Sequence, residues 1–121
     1  MGYNSKYGGA QVEALLDASL KMDFVQVSSS TISSALVNTC YIITQASAGA
    51  VVVSALATPT GVESRYSFRF SGATSLTIPS SVKWVNGEKP TIDSSASYEL
   101  SIVASKFASG WVYKGVLAKF L

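Results

Sequence analysis

The amino-acid sequence predicts a mainly β fold: a single antiparallel β-sandwich of jelly-roll type, preceded by one short N-terminal amphipathic helix. The chain has 121 residues, enough for one domain with its own core and too few for two. After residue 23, short runs of β-type residues alternate with Gly, Ser, Asn and Pro. Before residue 23, apolar residues recur at helical spacing. We therefore expect a tail and an assembly or anchoring helix over residues 1–23, and the sandwich over residues 24–121.

The N-terminal helix is predicted over residues 10–22, directly after Gly8-Gly9. Its apolar residues recur at steps of three and four, and they are Val12, Leu15, Leu16, Leu20 and Met22. The opposite polar row consists of Glu13, Asp17 and Lys21. A helix of this length is marginal alone in water, so its apolar face must pack against something. Two alternatives stay open: it packs on its own domain, or it packs against neighbouring chains or anchors in another protein. Its terminal position favours the second.

The β region is predicted to form strands in which aromatic and β-branched residues alternate with polar ones. The strands lie near residues 24–27, 39–45, 50–57, 64–70, 75–78, 82–85, 97–104 and 110–121. Residues 50–57 are almost continuously apolar, which predicts a central strand covered on both faces or a strand that lines a subunit interface. The Ser-rich residues 28–34 are either a linker or a solvated edge strand. Turns are predicted at residues 58–61 and at Asn86-Gly87, a sequence that suits a tight hairpin.

Charge and composition restrict the partners. Nine basic and seven acidic residues are spread along the chain and give a formal net charge of +2. No basic stripe follows from this distribution, so we expect no nucleic-acid partner. Charged residues make up 13% and apolar residues 48% of the chain, against about 25% charged residues in ordinary soluble domains. A surface so poor in charge is typical of a protein that buries part of it between subunits.

The residue types leave little room for catalysis. There is no His, which removes the commonest general base and the usual zinc ligand. Four acids of the β region could face one another as in a glycosidase: Glu63, Glu88, Asp93 and Glu99. Two of them flank turn residues, where exposed acids are ordinary. We therefore predict that the chain is not an enzyme and has no catalytic residue, cofactor or metal site.

Cys40 is the single cysteine, and its apolar neighbours predict a buried small side chain. The first residues lack the apolar core of a secretion signal, and no run approaches the roughly 18 apolar residues of a membrane span. We expect a soluble protein that is made in a reducing cytoplasm and has no membrane partner.

Most aromatic residues on the predicted strands are interpreted as core, because each ring buries about 150 Å² or more. Trp111 and Tyr113 are the exceptions that we consider for another role. They share one face of a strand, opposite Val112, and a sugar-binding module would place such rings on its surface. They are therefore candidate ligand-facing aromatics.

The segment from Leu76 to Phe120 has a specific order of motifs. It contains Leu76-Thr77-Ile78-Pro79, Val82-Lys83-Trp84-Val85-Asn86-Gly87, Lys89-Pro90-Thr91, Tyr98-Glu99-Leu100-Ser101-Ile102 and Gly110-Trp111-Val112-Tyr113. This order, over about a third of the chain, resembles the closing strands of fibre and decoration proteins of tailed bacteriophages. Residues 6–17 are similar to the helix openings of virion proteins from phages and prophages of Bacteroidetes, including the crAss-like group.

The resemblance implies a virion structural protein that is assembled in the host bacterial cytoplasm and acts by binding. It implies a homotrimer, with capsid, portal-proximal or tail proteins as further partners and a host surface glycan as a candidate ligand. The chain lacks the long repetitive shaft of a fibre, so a small head-fibre, decoration or adaptor subunit is the better match. A carbohydrate-binding receptor-recognition module of a phage fibre is the alternative. The family that the sequence resembles has no catalytic residues that could be assigned to positions of this chain.

Overall fold

The structure is a computed structural model that describes residues 22–45, 47–85 and 87–120. This part of the chain forms nine strands and no helix. The strands are β1 Asp23–Val27, β2 Thr31–Ile32, β3 Thr39–Ile43, β4 Gly49–Val53, β5 Glu63–Ser71, β6 Ala73–Thr77, β7 Val82–Trp84, β8 Ser97–Phe107 and β9 Gly110–Phe120. The predicted mainly β fold is confirmed, and each predicted strand has an observed counterpart. The predicted helix lies outside the described residues except for Met22, which precedes β1.

The strands form two sheets, and the first six strands alternate between them. The order is β1-β3-β5-β8-β9-β7 in a six-stranded sheet and β2-β4-β6 in a three-stranded sheet. Three successive segments of the chain therefore stack on one another, and each supplies one strand to each sheet. We call these segments coils, and they consist of β1 and β2, β3 and β4, and β5 and β6. All contacts between neighbouring coils are parallel. Strand β8 then pairs with β5, and β9 pairs with β8, in the antiparallel sense.

The prediction that all strands pair in the antiparallel sense, as in a jelly roll, is wrong, because several strand pairs are parallel. Parallel pairing joins β7 to β9 as well as the three coils. Alternation of apolar and polar residues predicts a half-buried strand, but it is the same for parallel and antiparallel neighbours. The long connections between successive strands of one sheet are what permit parallel pairing here, because a parallel pair cannot be closed by a tight hairpin.

Side chains of both sheets form one hydrophobic core. The six-stranded sheet contributes Tyr41, Ile43, Tyr66, Phe68, Phe70, Tyr98, Leu100, Ile102 and Ala104. The three-stranded sheet contributes Ile32, Val51, Val53, Ala73 and Leu76. A fully buried aliphatic or aromatic side chain of this size contributes about 1.5–3 kcal/mol. Strand β4 lies in the middle of its sheet but is covered on one face only, since Ala50 is exposed. The expected cover on both faces is therefore absent from the described residues, and the interface alternative stays a prediction.

Buried tyrosine hydroxyl groups hold the backbone of three connecting segments. The contacts are Tyr41 Oη with the N–H of Leu36 at 2.9 Å, Tyr66 Oη with the carbonyl of Ala57 at 2.6 Å, and Tyr98 Oη with the N–H of Asp93 at 2.7 Å. A polar backbone group at the edge of a core costs free energy unless it is paired. Each tyrosine thus buries its ring and satisfies one such group.

The turn and linker predictions have different outcomes. Residues 28–34 contain β2, an edge strand of the three-stranded sheet, which confirms the edge-strand alternative. A turn is present at residues 61–62, at the end of the predicted segment. Gly87 has a φ of 78° and donates its N–H to the Trp84 carbonyl at 2.9 Å. No hairpin follows this turn, because β7 pairs in parallel with β9.

Replacing Tyr66 by Phe removes one hydrogen bond and leaves the Ala57 carbonyl without that donor. We expect the free energy of unfolding to fall by about 1–2 kcal/mol, measured by urea denaturation followed by circular dichroism. Tyr113→Phe is the matched control, because that ring is only half-buried, and its effect should be smaller. Equal losses in the two variants would contradict this role of the Tyr66 hydroxyl.

The same residue predicts how stability depends on pH. Burial, with a smaller contribution from Tyr113, raises the pKa of Tyr66 from 10.0 to about 12. The unfolded chain therefore loses this proton at lower pH than the folded chain does, so the contribution is complete below about pH 10 and is lost between about pH 10 and 12. Urea midpoints across this range should fall more steeply for the wild-type chain than for Tyr66→Phe. Parallel curves would contradict the assignment.

Candidate interaction surface

The six-stranded sheet has a second face that points away from the core, here called the outer face. On β5 the residues Arg65, Ser67 and Arg69 alternate with the buried aromatic residues of the core. Both arginines are exposed. The outer face is therefore built from the residues that occupy the same pleat positions on the neighbouring strands.

Strand register arranges the outer face in three rows that run across the strands. The ion-pair row consists of Gln26, Ile42, Arg69, Glu99 and Ala118. The middle row consists of Phe24, Cys40, Ser67, Ser101 and Val116. The basic row consists of Arg65, Val103, Lys114 and Lys83.

The middle row is the floor of a shallow groove. Its central side chains are small, and those of Cys40 and Ser67 are buried. Its ends are large and apolar, with Phe24 67% and Val116 50% exposed. A depression of about 520 Å³ lies over the β1 side of this row, and Met22 and Phe24 line it. The prediction that Cys40 is buried is confirmed.

The two rows that border the groove differ in net charge. In the ion-pair row, Arg69 Nε lies 2.6 Å from Glu99 Oε2, and this hydrogen bond raises the pKa of Arg69. The pair is largely exposed, so its contribution to stability is small, about 0–1 kcal/mol. The ion pairs formed within the described part of the chain are Arg69–Glu99 and Lys119–Asp93. The basic row is therefore left with net positive charge toward the groove.

A separate depression lies beside the end of β7. Val85 follows β7 and donates its N–H to the Gly115 carbonyl at 3.1 Å. It is 60% exposed and lines a second shallow depression together with Val116 and the ring of Trp84. Apolar side chains are thus exposed at both ends of a row whose centre is small and polar.

The two candidate ligand-facing aromatics lie elsewhere. Tyr113 is paired with the buried Ala104, and Trp111 is paired with Lys106, so both rings are on the core side of β9. They are half-buried and pack against the margin of the core. The Lys106 ammonium group lies 5.3 Å from the centroid of the Trp111 ring, a position that a stacked sugar would have to share.

The acidic residues named from the sequence lie in different surroundings, and Glu63 begins β5 opposite Ser105 of β8. Glu99 is paired with Arg69 on the outer face, whereas Glu88 lines the depression near Trp84. Asp93 accepts hydrogen bonds from the N–H and hydroxyl of Ser95, which lower its pKa. The described residues contain no group of three or more acidic, Cys or His side chains that could hold a metal ion.

The sequence pattern did not identify the outer face as a surface of interest. The alternation of Arg65, Ser67 and Arg69 was visible, but the rows depend on which strands are neighbours. The apolar residues of the predicted helix, Val12, Leu15, Leu16 and Leu20, lie outside the described residues, whereas Met22 lies at the β1 end of the groove.

Comparison of the chain with protein-family models, with curated proteins and with solved structures finds no match. No helix in the described ranges is long and apolar enough to cross a membrane.

A glycine in β9 permits the close approach of β7 that positions Val85. A Cβ atom at Gly115 would lie 3.1 Å from Val82 Cγ1 and 3.3 Å from the Trp84 ring. We expect Gly115→Val to lower the free energy of unfolding by about 1–3 kcal/mol through overpacking, measured by urea denaturation. Ala118→Val, at an exposed position of the same strand, is the control and should have little effect. A neutral Gly115→Val would contradict this packing.

Proposed function

We propose that the chain is a structural protein of a bacteriophage particle, a small head-fibre, decoration or adaptor subunit that acts by protein–protein binding and self-association. The proposal rests on the resemblance of residues 76–120 to phage fibre and decoration proteins, together with one structural observation. That observation is the outer face, where Phe24, Val116 and Val85 expose apolar surface along one row.

Phe24 at one end of the row, and Val116 with the nearby Val85 at the other end, are the exposed apolar side chains that a protein partner would cover. The low charge of the chain agrees with this, since the centres of interfaces are depleted in charged residues. Within the proposal the chain is a two-layer sandwich that presents its loops outward and forms a homotrimer. Its predicted helix over residues 10–22 assembles the subunits or anchors them to capsid, portal-proximal or tail proteins.

Self-association is tested by light scattering on the purified full-length chain. The wild-type protein should have the mass of an oligomer, and Phe24→Ser or Val116→Ser should weaken association by about tenfold or more, the range of an interface hot spot. Both side chains are exposed, so the free energy of unfolding should change by about 0.5 kcal/mol or less.

Val62→Ser is the matched control, because Val62 is 79% exposed but lies in a turn away from the outer face. Its association should equal that of the wild type. A monomeric wild-type chain at high concentration would refute self-association.

Particle assembly is tested separately. Mass spectrometry of purified particles of the phage or prophage that encodes the chain should detect it in stoichiometric amount. Deletion of residues 1–22 should remove it from the particles while the remaining domain stays folded. Its absence from wild-type particles, or incorporation unchanged by the deletion, would count against the proposal.

A carbohydrate-binding receptor-recognition module is the second candidate, because Trp111 and Tyr113 are only half-buried. A glycan array probed with the full chain should then give a signal that Trp111→Ala abolishes. Phe107→Ala is the control, since Phe107 is an exposed aromatic residue on β8. Absence of any glycan signal would eliminate this candidate.

A further inference from the structure

We infer that the edge strand β1 of one copy docks against the outer face of a second copy, where β7 and β9 lie side by side. On the edge, the contact is made by Asp23 and Phe24. On the face it is made by two lysines and two valines, here called the Lys–Val patch, and these are Lys83, Val85, Lys114 and Val116. The inference rests on the proposed function, and it names the two surfaces through which self-association occurs.

Strand register places the four side chains of the Lys–Val patch side by side. Lys83 and Lys114 are partners in the parallel β7–β9 ladder, one strand spacing of about 4.8 Å apart. Val85 and Val116 each come two residues later in the chain, and the Val85 N–H donates to the Gly115 carbonyl at 3.1 Å. A pair of cations therefore lies next to a pair of valines that are 60% and 50% exposed.

The two lysines have no ion-pair partner among the residues that the structure describes. The ion pairs formed there are Arg69–Glu99 and Lys119–Asp93. Like charges directly opposite each other on neighbouring strands destabilise a sheet, and no described carboxylate offsets the repulsion between Lys83 and Lys114. An acidic side chain of a partner is therefore attracted to this position.

An apolar recess next to the lysines can accept a large side chain. The depression beside β7 has a volume of about 270 Å³, and both valines line it together with Trp84 and Leu117. Glu88 lines the same depression, so an acid of the partner must lie on the side of the lysines. The Lys–Val patch thus fits a segment in which an acid adjoins a large apolar residue.

The start of β1 has this combination of residues. Asp23 and Phe24 are consecutive and exposed, and neither described ion pair includes Asp23. Their side chains occupy opposite pleat positions. Because β1 is an edge strand, a surface that approaches along the edge contacts both. Strand β1 also lacks Lys and Pro, which commonly protect edges from association.

Charge and apolar surface favour edge-to-patch contact over contact between two identical surfaces. Two β1 edges in contact would cover Phe24 but leave the lysines and valines of both patches uncovered. Two patches in contact would bring four lysines together. The edge-to-patch contact instead joins one acid to two bases and removes Phe24 and both valines from water.

The positions of edge and patch require a second copy. Four strand spacings separate β1 from β9 in the same sheet, which is about 19 Å, so the edge of a chain cannot reach its own patch. Each copy therefore offers an edge to one neighbour and a patch to another. Such head-to-tail contacts close into a ring such as a trimer.

Mixing two variants of the full-length chain tests the inference. Phe24→Ser has an altered edge and an intact patch, whereas Val116→Ser has an intact edge and an altered patch. Each alone should associate about tenfold or more weakly than the wild type. Their equimolar mixture retains one intact contact and should form a species with the mass of two chains in size-exclusion light scattering. The control mixture of Phe24→Ser with Asp23→Lys, in which both edges are altered, should form about tenfold less of it.

Each outcome decides the matter. A two-chain species in the edge-plus-patch mixture alone supports the contact. A mixture no heavier than its components, or single variants that keep the wild-type mass, overturns it. If the wild-type chain is still an oligomer in that case, the proposed function survives and only this inference fails. A wild-type mass of two chains means reciprocal contacts and overturns the head-to-tail ring, and a monomeric wild type overturns self-association as well.

Charge exchange protects against misfolding of a single variant. Asp23→Lys and Lys83→Glu/Lys114→Glu should each weaken self-association about tenfold or more, and the triple variant that combines them should recover it, because the opposite charges face each other again. Glu63→Lys is the matched control, since Glu63 is also an exposed acid at the start of a strand, and its association should equal that of the wild type. A triple variant with a native circular dichroism spectrum and no recovery overturns the inference.

Discussion

The first six strands alternate between two sheets, and this alternation governs how the core and the connections between the strands are built. These six strands lie alternately on opposite sides of one core, so the backbone of each connection between them crosses the edge of that core. Backbone N–H and C=O groups at the edge of the core need hydrogen-bond partners. The hydroxyl of Tyr66 supplies one to the β4–β5 connection at 2.6 Å, while its ring fills the core between the sheets. The buried tyrosines therefore both fill the core and hold the connecting segments between strands.

The stack of coils is completed differently in the two sheets. The three-stranded sheet ends with β6, whereas the six-stranded sheet continues through the long antiparallel pair β8 and β9 and then β7. The outer face of the wider sheet points away from the three-stranded sheet. Its centre has small side chains such as Ser67 and Cys40, which lie below the charged residues on either side. Edge strand β1 leaves Phe24 and Val25 exposed at one end, and edge strands are places where proteins commonly add protection.

The proposed role in assembly rests on the geometry of this outer face. The outer face offers shape, apolar ends and one basic wall, which are properties of a surface that receives another protein segment. Of the acidic residues named from the sequence, Glu99 is paired with Arg69 and Glu88 lines the depression that contains Trp84. The half-buried rings of Trp111 and Tyr113 complete the margin of the core. The proposed function assigns binding to the outer face of the six-stranded sheet and leaves the core to hold the fold together.

Sequence patterns alone predicted the positions of most strands, the burial of Cys40 and the core faces of β5 and β8, whereas Phe107 and Phe120, expected in the core with the other strand aromatics, are exposed. These follow from local information, because an alternating pattern such as 66–70 has one apolar face whatever its neighbours are. Tertiary structure decided which strands pair, in which direction and in which sheet, because those choices depend on contacts between residues far apart in the chain. The short strand β2 was also recognised only through its partner β4. The groove follows from that pairing: Phe24, Ser67 and Val116 are distant in sequence, and only strand register places them in one row.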